Sequence, residues 1–276
     1  MYETIYHRPS SVDEAAALFA KGSESKYLAG GHTLIPVMKQ RLAAPSDVID
    51  LGRIKDLIGI EVSADTLTIK AATSHYDVAV SGAAQKAIPA LAYLASLIGD
   101  PAVRYRGTIG GSIANNDPAA DYPAAVLALD ATIKTNKRSI AADDFFKGLF
   151  STALADGEII TAVSFPIPAK AGYSKFPHPA SRFAVVGVAA VLTMDGGKIA
   201  KASIGITGAG TKATRAKGVE AAIAGKAADA ASIQAAAEKG ADGVDVQADL
   251  QGSEEYKKHL LKVFSKRAIE AAAAKK

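Results

Sequence analysis

Two glycine turns carry the residues of this chain best suited to chemistry. They are Ala29-Gly30-Gly31-His32-Thr33-Leu34-Ile35-Pro36, and Thr108-Ile109-Gly110-Gly111-Ser112 running on to Asn115-Asn116-Asp117-Pro118-Ala119-Ala120-Asp121. Each adjoins an extended apolar stretch and is expected to place bare backbone N–H groups in a short loop. Glycine tolerates positive φ and lets an anion approach the main chain, so such loops make phosphate-binding concavities. Beyond the second turn, Asn115, Asn116, Asp117 and Asp121 put amide and carboxylate groups within reach of a sugar. Together the turns point to a ligand with a diphosphate and sugar-like hydroxyls, a dinucleotide. The plain alternative is a pair of tight structural turns, with Asp117-Pro118 a turn of its own. The polar tail of the second segment tips the balance toward a ligand.

A third glycine pattern competes with these two. Gly208-Ala209-Gly210-Thr211-Lys212-Ala213 fits G-x-G-x-x-A between an expected strand and helix, with Asp229 downstream. The Rossmann fingerprint needs that acid at the end of a second strand, whereas residues 214–239 are alanine-rich and read as helix. The match is taken as chance, with a nicotinamide site as the weaker reading. The five histidines, His7, His32, His75, His178 and His259, form no compact metal-ligand spacing, and no metal site is expected. There is no G-x-S-x-G elbow and no carboxylate pair placed as acid and base, so no catalytic residue is assigned to this chain.

Composition narrows the class. The 276 residues suffice for one large or two medium domains, and 49% hydrophobic with 22% charged residues is ordinary for a globular protein. The net charge of +4 is spread out, and the lysines from Lys257 to Lys276 read as a solvated helix face, so no nucleic-acid partner is expected. Absence of cysteine excludes disulfides and thiolate-held zinc or iron–sulfur clusters on this chain, and sits with a cytoplasmic location. The first nine residues lack an apolar run and are not read as a signal peptide, and the apolar run 183–194 is too short for a membrane span.

The elements that must position the turns follow from periodicity and punctuation. Ser11-Val12-Asp13-Glu14 is a capping box opening a helix to Phe19. Strands are expected at 26–29 and 48–51, a hairpin at 57–70 broken at 63–65, and helices at 74–81 and 87–97. A helix at 123–129 and strands at 131–135 and 158–165 follow. Residues 166–172, with Pro166 and Pro168, read as a linker. A hairpin 183–194 and 198–207 about Asp195-Gly196-Gly197 then leads to helices at 213–224, 229–239 and 254–274. The pattern is α+β.

At these residues the chain resembles the FAD-binding medium subunit of the molybdenum hydroxylases, carbon monoxide dehydrogenase type. The likeness rests on residues 29–36 with Met38-Lys39 and Arg41-Leu42, residues 108–112 with 117–123, Gly157-Glu158-Ile159-Ile160, and Pro179-Ala180-Ser181-Arg182-Phe183. It implies a two-part FAD-binding domain of the vanillyl-alcohol oxidase type over residues 1–170, split near 55, and an antiparallel-sheet-plus-helices domain over 171–276. It implies non-covalent FAD, with the diphosphate wrapped by Leu28, Ala29, Gly30, Gly31, His32, Thr33 and Leu34 and by Thr108, Ile109, Gly110, Gly111 and Ser112. Asn115, Asp117 and Asp121 would lie on the sugar side, Ile98 and Ile160 would pack near the isoalloxazine, and Phe183 would cover it where tyrosine is usual. His178 falls near a lysine position of the xanthine type. The partners implied are a molybdenum-cofactor large subunit and a [2Fe–2S] small subunit, as a dimer of heterotrimers. Electrons would pass from the clusters through FAD to an external acceptor. A stand-alone flavin oxidase with FAD on His32 is the alternative.

Overall fold

The structure, a computed structural model, describes residues 1–274. The chain opens with a small parallel sheet. Strand β1 (Ile5–His7), helix α1 (Val12–Phe19), β2 (Ser25–Leu28), helix α2 (Leu34–Lys39) and β3 (Asp47–Asp50) give the strand order β1-β3-β2. Both outer strands run parallel to β3. Helix α1 starts where expected, because Ser11 Oγ accepts from Glu14 N–H at 3.1 Å; Glu14 returns to Ser10 rather than to Ser11. A parallel three-stranded sheet buries little by itself, and its core of Ala15, Ile49, Ile54 and Leu57 borrows Ile159 from the distant loop that leads into a later strand. Tyr27 stacks on Phe19 at 4.6 Å and donates its hydroxyl to Gly157 O at 3.1 Å, a second tie between the two parts. Burial pushes that phenol up to about 12.

The second part is a five-stranded antiparallel sheet with helices. It contains β4 (Ile60–Val62), β5 (Thr66–Lys70), α3 (His75–Val80), α4 (Gly82–Ala87), α5 (Pro89–Ser96), α6 (Pro101–Arg106), α7 (Ile109–Asn115), α8 (Tyr122–Ala128), β6 (Thr132–Thr135), β7 (Ser139–Ala141), α9 (Ala142–Phe145), β8 (Phe146–Gly148), β9 (Ser151–Thr152) and β10 (Ile160–Pro166). The order β4-β5-β10-β6-β7 puts the last strand in the middle, so the sheet closes only when β10 arrives. All seven residues of α8 are buried.

The third part is a meander of β11 (Lys170–Pro177), β12 (Ala184–Asp195), β13 (Lys198–Thr207) and β14 (Thr214–Arg215), backed by α10 (Lys217–Ile223), α11 (Ala230–Ala237) and α12 (Glu254–Ala274). Gly196 and Gly197 take φ +52° and +80°, the two left-handed residues that a tight hairpin turn of the right twist requires. Helix α12 buries Leu260, Leu261, Phe264, Ala268, Ile269 and Ala272 at helical spacing. It crosses β11 so closely that a Cβ on Gly172 would lie 2.4 Å from Ala268 O. On the opposite face α8 packs on β13, where a Cβ on Gly205 would lie 2.0 Å from Ala124 O. The expected linker at 166–172 is therefore mostly strand: β10 runs through Pro166 and β11 starts at Lys170. Strand β12 begins at Ala184, one residue after the expected Phe183.

The third glycine pattern has a structural role. Gly208 (φ +83°) sits where a Cβ would meet Ala184 O and Val185 O, both at 2.5 Å, and its carbonyl takes the buried Lys257 ammonium at 3.0 Å. Asp229 is the N-cap of α11, accepting from Ser232 N–H at 2.8 Å. Among the described residues no helix is long and apolar enough to cross a membrane.

Candidate functional site

The parallel sheet ends in the first glycine turn, between β2 and α2. Gly31 has φ +78°, the left-handed region that side chains resist. Within the described protein the N–H groups of Gly30, Gly31, His32, Thr33 and Leu34 have no acceptor. Five adjacent N–H donors around a left-handed residue form a concavity of partial positive charge, which an anion would fill.

The second glycine turn differs from expectation. It is the first turn of helix α7, and its donors are engaged inside the fold. Ile109 N–H goes to Thr73 O (3.2 Å), Gly110 N–H to Ala71 O (2.9 Å), and Gly111 N–H to the capping Thr108 Oγ1 (3.1 Å). Its glycines serve close approach instead, since a Cβ on Gly110 would stand 2.6 Å from Ala71 Cβ and 2.7 Å from Ala71 O. The two turns abut: a Cβ on Gly30 would lie 2.2 Å from Arg106 O and 2.7 Å from Gly107 Cα.

Together they floor a cleft of about 840 Å³, toward the upper end of the roughly 300–1,000 Å³ usual for ligand sites. Of the residues expected at the site, all but Ile109, Asn116 and His178 line it. Ile109 is fully buried in the core, because α7 turns that side chain away from the cleft. His178 lies outside, its Nδ1 facing Ala180 N–H (3.3 Å) and Ser181 N–H (3.2 Å) in an exposed turn. Asp121 reaches the cleft wall, but its carboxylate is held within the protein by Lys175 and Tyr173. Burial holds this carboxyl above the usual carboxylate range, an effect that Lys175 and Tyr173 offset only in part. Asn116, read as a sugar-side amide, turns inward. It takes φ +46° at the C-terminus of α7, and its Nδ2 donates to Gly148 O and Ser151 O, both at 2.8 Å.

Several wall residues went unread in the sequence. Phe150, at φ +50° in the β8–β9 turn, faces the cleft because Asn116 holds the carbonyls on either side of that turn. His75 is buried beneath Gly107, its Nδ1 without a partner, and burial with nearby His32 and Arg104 pushes it down to about 3, so it is neutral. Neither has a local sequence signal, since both are placed by long-range packing. Asn116→Ala should destabilise the protein by about 2 kcal/mol, from left-handed strain plus the loss of two part-buried hydrogen bonds. Asn116→Gly, which relieves the strain, should cost about 1 kcal/mol less. Chemical denaturation of both variants measures the difference.

An open N–H cradle at the end of a parallel sheet, continued by an apolar cleft, defines a dinucleotide-binding protein. Two family models extend this reading: the FAD binding domain in molybdopterin dehydrogenase matches residues 1–168, and the CO dehydrogenase flavoprotein C-terminal domain matches 171–272. The chain belongs to this family, the FAD-binding medium subunits of the molybdenum hydroxylases, and is thus part of an oxidoreductase. It is 36% identical to the carbon monoxide dehydrogenase medium chain of Afipia carboxidovorans, over 98% of this chain and 96% of that one. It is 35% identical to the nicotine 6-hydroxylase medium subunit of Paenarthrobacter nicotinovorans, over 98% and 97%. Among solved structures, a chain of cyanide-inactivated Cu,Mo-CO dehydrogenase superposes with a TM-score of 0.94 at 35% identity, covering all of both chains. A chain of quinoline 2-oxidoreductase from Pseudomonas putida 86 superposes with a TM-score of 0.92 at 31% identity, covering 98% and 97%. The residues present fit FAD: the cradle suits its diphosphate, and Ile98, Ile160 and Phe183 offer the apolar walls its ring system requires.

Proposed function

We propose that residues 1–170 hold FAD non-covalently, with 171–276 closing the ring end of the cleft, and that the chain is the electron-transfer member of a larger molybdenum enzyme. In this reading Leu28 to Leu34 take the diphosphate, and the second glycine turn shapes the floor beneath it. Ser112, Asn115 and Asp117 face the sugar chain, and Ile98, Ile160 and Phe183 pack on the ring. When bound, FAD supplies a carrier for one or two electrons, here moving from [2Fe–2S] clusters of a small subunit toward an external acceptor. The protein's own residues bind and orient it: the cradle fixes the anionic centre, and the apolar walls exclude water from the ring. Substrate turnover would occur on a molybdenum-cofactor large subunit, in a cytoplasmic dimer of heterotrimers. The observation that carries this reading is the run of five partnerless N–H groups opening on the apolar cleft.

The test is the absorption spectrum of the purified native protein before and after acid precipitation, with co-purifying chains identified. Flavin released to the supernatant as FAD, accompanied by molybdenum and iron–sulfur subunits, is the expected result. Flavin retained on the pellet would instead point to a covalent bond at His32. A colourless protein that takes up no added FAD would overturn the assignment of the cleft.

A further inference from the structure

A buried ammonium group stands behind the ring end of the cleft. The side chain of Lys175, on β11, is 2% exposed and that of Asp121 3%. The Lys175 Nζ lies 2.9 Å and 3.1 Å from the two Asp121 oxygens, 2.9 Å from Leu97 O and 2.8 Å from Arg182 O. A lysine ammonium has three protons, and three groups receive them. Tyr173 donates to the same carboxylate at 2.5 Å, completing a buried cluster between the second and third parts of the molecule.

What the ammonium grips gives the cluster its meaning. Leu97 O immediately precedes Ile98, and Arg182 O immediately precedes Phe183, and both of those side chains line the cleft. Arg104 adds a second hold on the first segment, its Nη1 donating to Ile98 O and Gly99 O, both at 3.0 Å. Three consecutive carbonyls at the end of α5 thus point to two cations. Among the described residues Lys175 supplies the hydrogen bonds that tie the Phe183 segment to the end of α5, while Ala184 N–H, next along, donates to Ala119 O at 3.2 Å. Phe183 remains 43% exposed, a large aromatic side chain that the protein covers only in part. A buried ion pair is an expensive way to stabilise a fold, since an apolar pair of equal volume often does as well, but it fixes position strictly.

We infer that Lys175 is a positioning residue for the isoalloxazine: its three-way clamp on Leu97 O, Arg182 O and Asp121 sets Ile98 and Phe183, carried by different domains, as the walls of the ring pocket. This rests on the reading of the cleft as the FAD site. It separates the ring pocket from the cradle. Loss of the clamp loosens the ring while the N–H donors of residues 30–34 keep their grip on a diphosphate.

The experiment uses the full-length chain stripped of flavin, titrated with FAD and separately with ADP, which offers a diphosphate without a flavin ring. Lys175→Met leaves a buried carboxylate unpaired and is expected to fold poorly. Asp121→Asn/Lys175→Met removes both charges, with Asp121→Asn as its control. Relative to that control, the double variant should bind FAD about tenfold or more weakly and ADP unchanged. The fluorescence of its bound flavin should rise as the walls move off the ring, and Lys175→Arg should recover part of the quenching. Equal losses for FAD and ADP, or no loss for either, would overturn the positioning role. If wild type binds neither FAD nor ADP, the cleft reading itself fails, and a distinct result separates the two.

Discussion

Gly30→Ala is expected to yield a protein without its cofactor and with a lowered melting temperature, whereas Gly111→Ala folds normally. Both lie in double-glycine turns, so the sequence alone treats them alike. The structure does not. The nearest atoms to a Cβ on Gly30 are Arg106 O (2.2 Å), Gly107 Cα (2.7 Å) and Arg106 C (2.8 Å), all backbone. That backbone cannot retreat, because Gly107 donates to Val103 O (2.7 Å), accepts from His75 N–H (2.9 Å), and rests on the buried His75 ring. Relieving the clash must therefore move the first turn off the second. Overpacking of this kind costs about 1–3 kcal/mol or more, and the displaced segment carries the N–H donors. A Cβ on Gly111 meets no backbone, only the capping Thr108 hydroxyl at 2.9 Å, which must shift slightly, and Ala29 Cβ at 3.6 Å; the gain of up to about 1 kcal/mol for alanine over glycine inside a helix offsets that shift. Bound FAD per chain and melting temperature, measured for both variants, decide the matter. Full flavin occupancy in Gly30→Ala would remove the claim that contact between the turns shapes the site.

The same contrast shows what the sequence makes legible. Periodic, capped segments read well, because the signal is local. The helix 254–274 coincides with α12, the break at 63–65 lies between β4 and β5, and the hairpin about Gly196-Gly197 forms as its turn chemistry demands. Helix α7 was invisible because two adjacent glycines disfavour a helix; its helicity is imposed by Ala71 and Thr73 receiving its first N–H groups. Strand β11 was hidden among prolines and small residues, and its glycine serves α12 rather than a turn. The site follows this division. Residue type alone picks out most of the two glycine segments that line the cleft, while Ile109 packs in the core and Asn116 turns inward. His75, Phe150 and Lys175 were not assigned from the sequence, since each acquires its place through partners far along the chain. Asp121, expected on the sugar side, has its carboxylate engaged by Lys175 and Tyr173 of β11, a pairing that no local pattern announces.

Glu158→Gln should abolish part of the protein's acid sensitivity and lower its stability at neutral pH by about 2 kcal/mol. The Glu158 side chain is fully buried on the cleft side, in the loop that precedes β10 and next to Ile159 of the first core. Arg138 grips it with two bonds, Nε to Oε1 and Nη2 to Oε2, each 3.0 Å; Thr135 Oγ1 (2.7 Å) and Ala155 N–H (2.8 Å) complete the set. These donors, Arg138 foremost, hold the carboxyl down from 4.5 to about 2. A depressed carboxyl binds its proton more readily in the unfolded chain, so its contribution is complete above about pH 5 and is lost as pH falls from 4.5 toward 2. That gap corresponds to ~3 kcal/mol at most. Arg138 is 52% exposed, and screening by water brings the figure to about 2 kcal/mol. His75 adds a slope of its own: a ring held neutral down to about 3 destabilises the fold as pH drops below its ordinary 6.5. The quantity to measure is therefore the difference in unfolding free energy between wild type and Glu158→Gln from pH 7 to pH 3, in which the His75 contribution cancels. It should stay flat to about pH 5 and then shrink toward pH 3. A difference that stays constant through that range would show that the carboxyl is not held down, and that the Arg138 grip contributes shape to the cleft wall without charge.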